Sequence, residues 1–263
     1  MKKLICFDMD GTVNISNRLI DGAKNAFDFI KDNNIKYVFI TNNSSKNVQS
    51  YINKMNNLGI DCGADNFFTS VELTRLYLQS ENINNIFIVG TQDFIYEMNK
   101  YFNIIYDYER EKVDCVVVGF DTELNYQKLR IASKYLEDGI PFIATNPDLR
   151  CPIEDNRYIP DCGAICNLLT ATTGVKPKYL GKPNGEMINF LCKRENISIE
   201  DTIVVGDRLY TDILAGINAG CDSVAVLTGE TNMNEINNSE YKPTYIINSI
   251  KDLPNLLKGN EDE

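Results

Sequence analysis

Leu4-Ile5-Cys6-Phe7-Asp8-Met9-Asp10-Gly11-Thr12 decides how this chain is read. Four apolar residues without a polar break predict a strand buried on both faces, as in the interior of a parallel sheet. The run then stops on two aspartates and a glycine. In an open parallel sheet, ligands bind beyond the carboxyl ends of the strands, which is where Asp8 and Asp10 fall. Their spacing sets both side chains on one side of an extended chain, and Gly11 lets the backbone turn away sharply. An Asp-Gly pair is also ordinary turn chemistry, so this segment alone leaves both a site and a capped turn open.

The same kind of run recurs at Tyr37-Val38-Phe39-Ile40, Ile86-Phe87-Ile88-Val89, Cys115-Val116-Val117-Val118, Pro141-Phe142-Ile143-Ala144, Ile203-Val204-Val205 and Val224-Ala225-Val226-Leu227. Between these runs the apolar period changes. Ala23, Ala26, Phe27 and Ile30 fall at i, i+3, i+4 and i+7, and Val48, Tyr51, Ile52 and Met55 repeat that spacing, which predicts helices with one apolar face. Met187, Ile188 and Leu191 mark a third. Strands alternating with helices predict an α/β fold with a Rossmann-like parallel-sheet core. Polar breaks at Ser80-Glu81-Asn82-Ile83-Asn84-Asn85 and Thr173-Gly174-Val175-Lys176-Pro177 bound a large inserted α/β domain. The expected organisation is therefore a discontinuous core, 1–80 and 178–263, with an insert over 81–177. From Gly259 onward the chain reads as a frayed polar end.

Composition narrows the chemistry. A formal net charge of −11 over 263 residues argues against binding duplex nucleic acid, which requires Lys and Arg to replace phosphate counterions. It also means that an anionic substrate needs a local cluster of donors or a metal. No run of about 18 apolar residues predicts a membrane span, and Met1-Lys2-Lys3 with its short apolar sequel is too brief for a signal peptide. The eight cysteines form no CxxC pair and no dense framework, so free thiols and a cytoplasmic location are expected. Histidine is absent altogether, which removes a Ser-His-Asp triad, a Cys-His pair and an HExxH zinc site. Any catalysis rests on carboxylates, Lys, Tyr, Ser/Thr, Cys or a metal held by oxygen.

Three more segments follow apolar runs or precede helices. Thr41-Asn42-Asn43-Ser44 offers hydroxyl, amide and backbone donors for a phosphoryl group, or plain helix capping. Gly181-Lys182-Pro183 lacks the Ser/Thr of a Walker A loop; Lys182 is read as a phosphate ligand or as an exposed, solvated lysine. Gly206-Asp207-Arg208-Leu209-Tyr210-Thr211-Asp212 brings a second pair of acids to the sheet edge. Four carboxylates gathered without compensation repel one another, and a divalent cation resolves the conflict. With oxygen ligands only, Mg²⁺ is the favoured ion.

Taken in order, DMDGT, TNNS, GK and GDRLYTD resemble the four motifs of the haloacid dehalogenase-like hydrolase superfamily. The insert, with Ala144-Thr145-Asn146-Pro147-Asp148 and Pro160-Asp161-Cys162-Gly163-Ala164, is similar to the large cap of its NagD and p-nitrophenyl phosphatase branch. The resemblance implies that Asp8 attacks phosphorus and Asp10 serves as acid and base. It implies that Asp8, the carbonyl of Asp10 and Asp207 hold Mg²⁺ with support from Asp212, and that Thr41, Asn42, Asn43 and Lys182 grip the phosphate. Asn146 and Asp148 become candidate selectors of the leaving group, or else a simple Asn-Pro-Asp turn. The implied partner is a small phosphorylated metabolite, and a homodimer is implied without an interface that one sequence could name.

Rival readings are a phosphotransferase or mutase, and a non-catalytic phosphometabolite-binding protein on the same fold. A cysteine phosphatase is a third, because Cys151 and Arg157 stand at Cys-x₅-Arg spacing. Glu154 and Asp155 would place negative charge where its phosphate must sit.

Overall fold

The computed structural model describes residues 2–109, 112–153 and 157–259. These form two compact units, one of Met1–Thr41, Gln49–Phe68 and Lys182–Glu263, the other of Asn42–Val48 and Thr69–Gly181. The helix Ser70–Ser80 goes with the second unit, as does the short segment that follows Thr41.

The first unit is built on a six-stranded sheet in the order Tyr245–Ile247, Asp222–Val226, Thr202–Gly206, Leu4–Phe7, Lys36–Thr41, Phe67–Thr69. Pairing is parallel from the Tyr245–Ile247 strand through Lys36–Thr41. The chain starts at Leu4–Phe7, steps outward through Lys36–Thr41, and returns to fill the other side from Thr202–Gly206 onward. The winding direction therefore reverses between Leu4–Phe7 and Thr202–Gly206. A crevice opens at such a switch point, beyond the carboxyl ends of the two strands. Every residue of Leu4–Phe7 and of Thr202–Gly206 is buried, as expected for strands covered on both faces.

Helix Ala23–Asp32 packs the predicted stripe, Ala23, Ala26, Phe27 and Ile30, out of solvent. Phe27 meets Phe7 at 5.1 Å and Phe39 at 5.6 Å between ring centroids, and Phe39 continues to Phe67 at 5.1 Å. These tilted aromatic contacts tie three neighbouring strands to one helix. Of the second predicted stripe, Tyr51 and Met55 are buried in helix Val48–Asn57, whereas Ile52 is partly exposed. The third prediction becomes helix Glu186–Glu195. Helix Leu253–Gly259 continues through Gly259, so the expected fraying does not begin there. Residues 260–263, the remainder of that expected tail, lie outside the described residues.

The second unit has its own parallel sheet, in the order Lys178–Tyr179, Phe142–Ala144, Cys115–Val118, Asn85–Val89, Asn103–Ile104. Helices Tyr126–Glu137 and Cys162–Thr173 contribute to its core with Phe87, Val116, Tyr135, Phe142 and Leu169. An antiparallel hairpin, Arg150–Ile153 with Arg157–Pro160, extends from this unit. Its two chain segments are stitched by polar contacts. Ser44 Oγ accepts from the Phe120 amide at 2.8 Å and lies 3.1 Å from Thr145 Oγ1. Asn42 Nδ2 donates to Asp148 Oδ2 at 2.7 Å, and Ser70 Oγ donates to the Asn42 carbonyl at 2.7 Å. Among the described residues no helix is long and apolar enough to cross a membrane.

Ile5 sits at the middle of the sheet with no exposed surface. Ile5→Ala should destabilise the protein by about 2–5 kcal/mol through lost burial and a residual cavity. Ile15, 49% exposed, serves as the control. Its alanine variant should stay within about 0.5 kcal/mol of the parent in urea denaturation.

Candidate active site

Asp8 and Asp207 are the first residues beyond the two strands that flank the switch point. Asp212 arrives from a π-helical turn, Leu209–Ile213, that leads into helix Leu214–Ala219. Such wide turns recur at functional sites because they re-aim one side chain without breaking the helix. The turn folds back so closely that a Cβ on Gly206 would stand 2.2 Å from the Asp212 Cβ, which only glycine tolerates. Gly11 plays the matching part on the other strand. Its φ of +93° is left-handed, and a Cβ there would meet Asp207 Oδ2 at 2.5 Å.

The outcome is a cluster in which one carboxylate oxygen each from Asp8, Asp207 and Asp212 lie within 4.8 Å of one another. Lys182, only 3% exposed, reaches into it. Its Nζ donates to Asp8 Oδ1 at 2.8 Å, Asp212 Oδ1 at 2.6 Å and the Ile40 carbonyl at 3.3 Å. Asp212 Oδ2 accepts from the Arg208 amide at 3.2 Å, and Asp207 Oδ2 from the Glu230 amide at 2.8 Å. Asp207 Oδ1 is buried and accepts no hydrogen bond from the described residues. A buried carboxylate oxygen without a donor is costly unless a cation takes the place of one.

The charges respond accordingly. Burial pushes the Asp8 carboxyl up to about 6 against the pull of Lys182. Burial, reinforced by the negative charges of Asp8 and Asp212, pushes Asp207 up to about 7. Asp8 retains 18% side-chain exposure, so water softens its shift more than that of Asp207. Burial works against the charge of Lys182, yet Asp212 and Asp8 outweigh it and hold the ammonium above its ordinary range. Of the four carboxylates expected to gather at the sheet edge, three do so, with Lys182 reaching in among them. The donor set is all oxygen, anionic and clustered, with one orphaned atom, and it fits a hard divalent cation such as Mg²⁺.

Asp10 departs from the expectation. The strand ends at Phe7, so alternation along an extended chain does not carry as far as Asp10. Its carboxylate stands apart from the three-acid cluster and is 60% exposed, with Oδ1 accepting from Asn14 Nδ2 at 2.6 Å and Lys54 Nζ at 2.9 Å. As a metal ligand Asp10 is left only its main-chain carbonyl.

Thr41 closes the neighbouring strand and is buried. Asn42, Asn43, Asn146 and Asp148 belong to the second unit. There Asn43 Oδ1 accepts from the amide and hydroxyl of Ser45, a local turn ahead of the helix that starts at Val48. Asn146 is fully buried, and its amide donates to Asp148 Oδ2 at 2.7 Å and Asp161 Oδ1 at 3.2 Å. A side chain so enclosed holds Asp148 in place. Cys151 and Arg157 fall on facing strands of the hairpin. Glu154 and Asp155, between them, lie outside the described residues.

Over 260 residues the chain is 33% identical to the acid sugar phosphatase of Staphylococcus saprophyticus, covering 98% of both. The chain belongs to the haloacid dehalogenase-like hydrolases. The model of that family matches residues 5–101, and a second, HAD-hydrolase-like model matches 179–253, so the two bracket most of the insert. Among solved structures of these hydrolases, the 4-nitrophenylphosphatase of Thermotoga maritima superposes with a TM-score of 0.91. It is 36% identical, with 97% of each chain covered. The glycerol phosphate phosphatase of Mycobacterium tuberculosis, solved in complex with magnesium, gives a TM-score of 0.89. It is 26% identical, with 96% of this chain and 76% of that one covered.

Asn14 and Lys54 were not singled out from the sequence. Asn14 could have been noticed as a polar residue inside a short apolar stretch after the first motif. Lys54 carries no local signal, since it lies on the polar side of an amphipathic helix. Glu230, whose amide holds Asp207, follows the Asp222–Val226 strand, and the rule about carboxyl ends of strands would have found it.

The raised acids make a prediction for the metal-free protein. A carboxyl whose folded-state pKa is above its unfolded value binds protons more tightly when folded, so stability declines as pH rises between the two. With Asp8 near 6 and Asp207 near 7, against an ordinary 3.8, the decline should run from about pH 4 to about pH 7. Differential scanning fluorimetry with chelator should show Tm falling over that window. Asp207→Asn should flatten the slope and abolish stabilisation by added Mg²⁺.

Proposed function

We propose that this hydrolase is a Mg²⁺-dependent, cytoplasmic phosphatase of small phosphomonoesters that works through an aspartyl-phosphate on Asp8. The observation that carries the reading is the three-carboxylate cluster, with Lys182 pinning Asp8 and Asp212 and with Asp207 Oδ1 buried and without a partner among the described residues. Phosphatase relatives over nearly the full length support it, as does the magnesium complex of one of them. Their names favour a sugar- or glycerol-like leaving group. The eight free thiols fit a reducing compartment.

In this reading an Asp8 carboxylate oxygen attacks phosphorus, the ester P–O bond breaks, and the departing oxygen takes the proton of Asp10. Asp10 then accepts a proton from water as that water attacks the aspartyl-phosphate, releasing phosphate and regenerating Asp8. Lys182 orients Asp8 and adds positive charge where the phosphoryl oxygens gather. Asp8, Asp207 and the carbonyl of Asp10 would hold Mg²⁺, with Asp212 in support; when bound, the ion neutralises phosphoryl charge near the nucleophile. Thr41 and Asn42 are the proposed phosphate-side donors. The second unit is the proposed cap, with Asn146 acting on the leaving group only through Asp148. Activity without histidine is chemically sound, because a carboxylate is already ionised at neutral pH.

The test is a panel of phosphorylated metabolites ranked by kcat/KM with and without chelator. Chelation should abolish turnover and Mg²⁺ restore it, while thiol alkylation should leave it. Asp8→Asn should lose at least about 10³-fold with an unchanged circular dichroism spectrum. Asp10→Asn should retain phosphate-mimic binding and slow turnover by about 10²- to 10⁴-fold. Near-normal Mg²⁺-dependent turnover in Asp8→Asn would remove the mechanism.

A further inference from the structure

One carboxylate in the first unit is handled unlike the rest. Asp8, Asp207 and Asp212 are packed together around Lys182, whereas Asp10 is held from the other direction by two donors on the same oxygen. Asn14 Nδ2 lies 2.6 Å from Asp10 Oδ1, and Lys54 Nζ lies 2.9 Å from that same atom. Asp10 Oδ2 accepts from no described residue.

Neither donor is casually placed. Asn14 has no exposed surface, and its amide is bracketed by two acceptors, Asp10 Oδ1 and the Ser16 carbonyl at 2.9 Å. Its orientation follows from that bracketing, since a flipped amide would set its oxygen against two other oxygens. The backbone fixes Asn14 as well: its amide donates to the Met9 carbonyl, and its carbonyl accepts from the Gly11 amide at 2.8 Å. Ser16, with φ of 52°, turns the chain so that its carbonyl reaches back to Asn14. Lys54 comes from helix Val48–Asn57 and is 24% exposed, while its partner Asp10 is 60% exposed. An exposed ion pair of this kind adds little stability, so its consequence lies in geometry.

We infer that Asn14 and Lys54 are positioning residues for Asp10, which clamp Oδ1 and leave Oδ2 as the oxygen that carries the catalytic proton. This rests on the phosphatase reading above. With both donors on Oδ1, a proton on the carboxyl settles on Oδ2, because protonating Oδ1 would set it against two N–H groups. Oδ2 then gives that proton to the ester oxygen as the P–O bond breaks, and takes one from water in the second half of the reaction. Losing either donor lets the carboxyl rotate about its Cβ–Cγ bond, and small displacements of an acid/base group cost rate steeply.

The signature is dependence on the leaving group. Phenyl phosphate and 4-nitrophenyl phosphate share size and shape, but nitrophenolate is far less basic and departs with little help from an acid. The quantity to measure is kcat/KM with saturating Mg²⁺, because it reports formation of the aspartyl-phosphate and is blind to its later hydrolysis. Lys54→Met and Asn14→Ala should lower kcat/KM for phenyl phosphate by about 10- to 100-fold, and the loss should exceed that for the nitrophenyl ester by at least about 5-fold. Lys54→Arg, which keeps a donor, should recover most of the phenyl phosphate activity. Lys54→Met keeps its apolar stem and guards against a folding defect in Asn14→Ala. Equal loss on both esters, or no loss on either, would overturn the inference while the wild type still hydrolyses them. A Mg²⁺-loaded wild type inactive toward both esters would overturn the phosphatase reading and this inference with it.

Discussion

Three clustered carboxylates, two of them paired with one buried ammonium, set the terms for the rest of this site. Burial raises the proton affinity of Asp8 and Asp207; at Asp207 the negative charges of Asp8 and Asp212 add to it, while at Asp8 Lys182 pulls the other way. Left alone, the arrangement holds back the ionisation of two of these acids, Asp8 and Asp207, and so weakens Asp8 as a nucleophile. With a divalent cation present the same arrangement favours ionised ones. The surrounding fold is what keeps the acids from drifting apart: two adjacent strands end together, a π-helical turn doubles back, and two glycines allow contacts that a Cβ would forbid.

Much of this was legible in the sequence. Each of the seven unbroken apolar runs became a strand, and the three periodic stripes became helices, because burial on two faces or one leaves a pattern that propensity alone does not blur. Asp8, Asp207 and Lys182 could be picked out because each sits where a motif meets the end of a strand or the start of a helix. Less visible were the edge strands Phe67–Thr69 and Tyr245–Ile247, whose short lengths carry little pattern. The Asn14–Leu19 hairpin was hidden for the same reason.

What could not be read were partners made by tertiary approach. Asp10 and Asp8 look equivalent in sequence, yet the turn at Gly11 and the pull of Lys54 send their carboxylates to different surroundings. Asn146 could be read as a leaving-group selector or as part of a plain turn, and it is fully enclosed, with Asp148 and Asp161 both drawing on its amide. Lys54 and Asp161 lie far along the chain from the residues they hold, where local periodicity has no say.

The polar stitching of the second unit carries a practical corollary. Ser44 supports the Phe120 amide, and Asn42 supports Asp148, although both come from a seven-residue stretch remote in sequence from the main body of that unit. Excising 69–181 as a stand-alone module, or grafting it onto a related scaffold, would strip those partners and leave enclosed donors and acceptors unsatisfied. A chimera that exchanges this module should therefore carry 42–48 along with it, so that the portable piece is two segments of chain and one body.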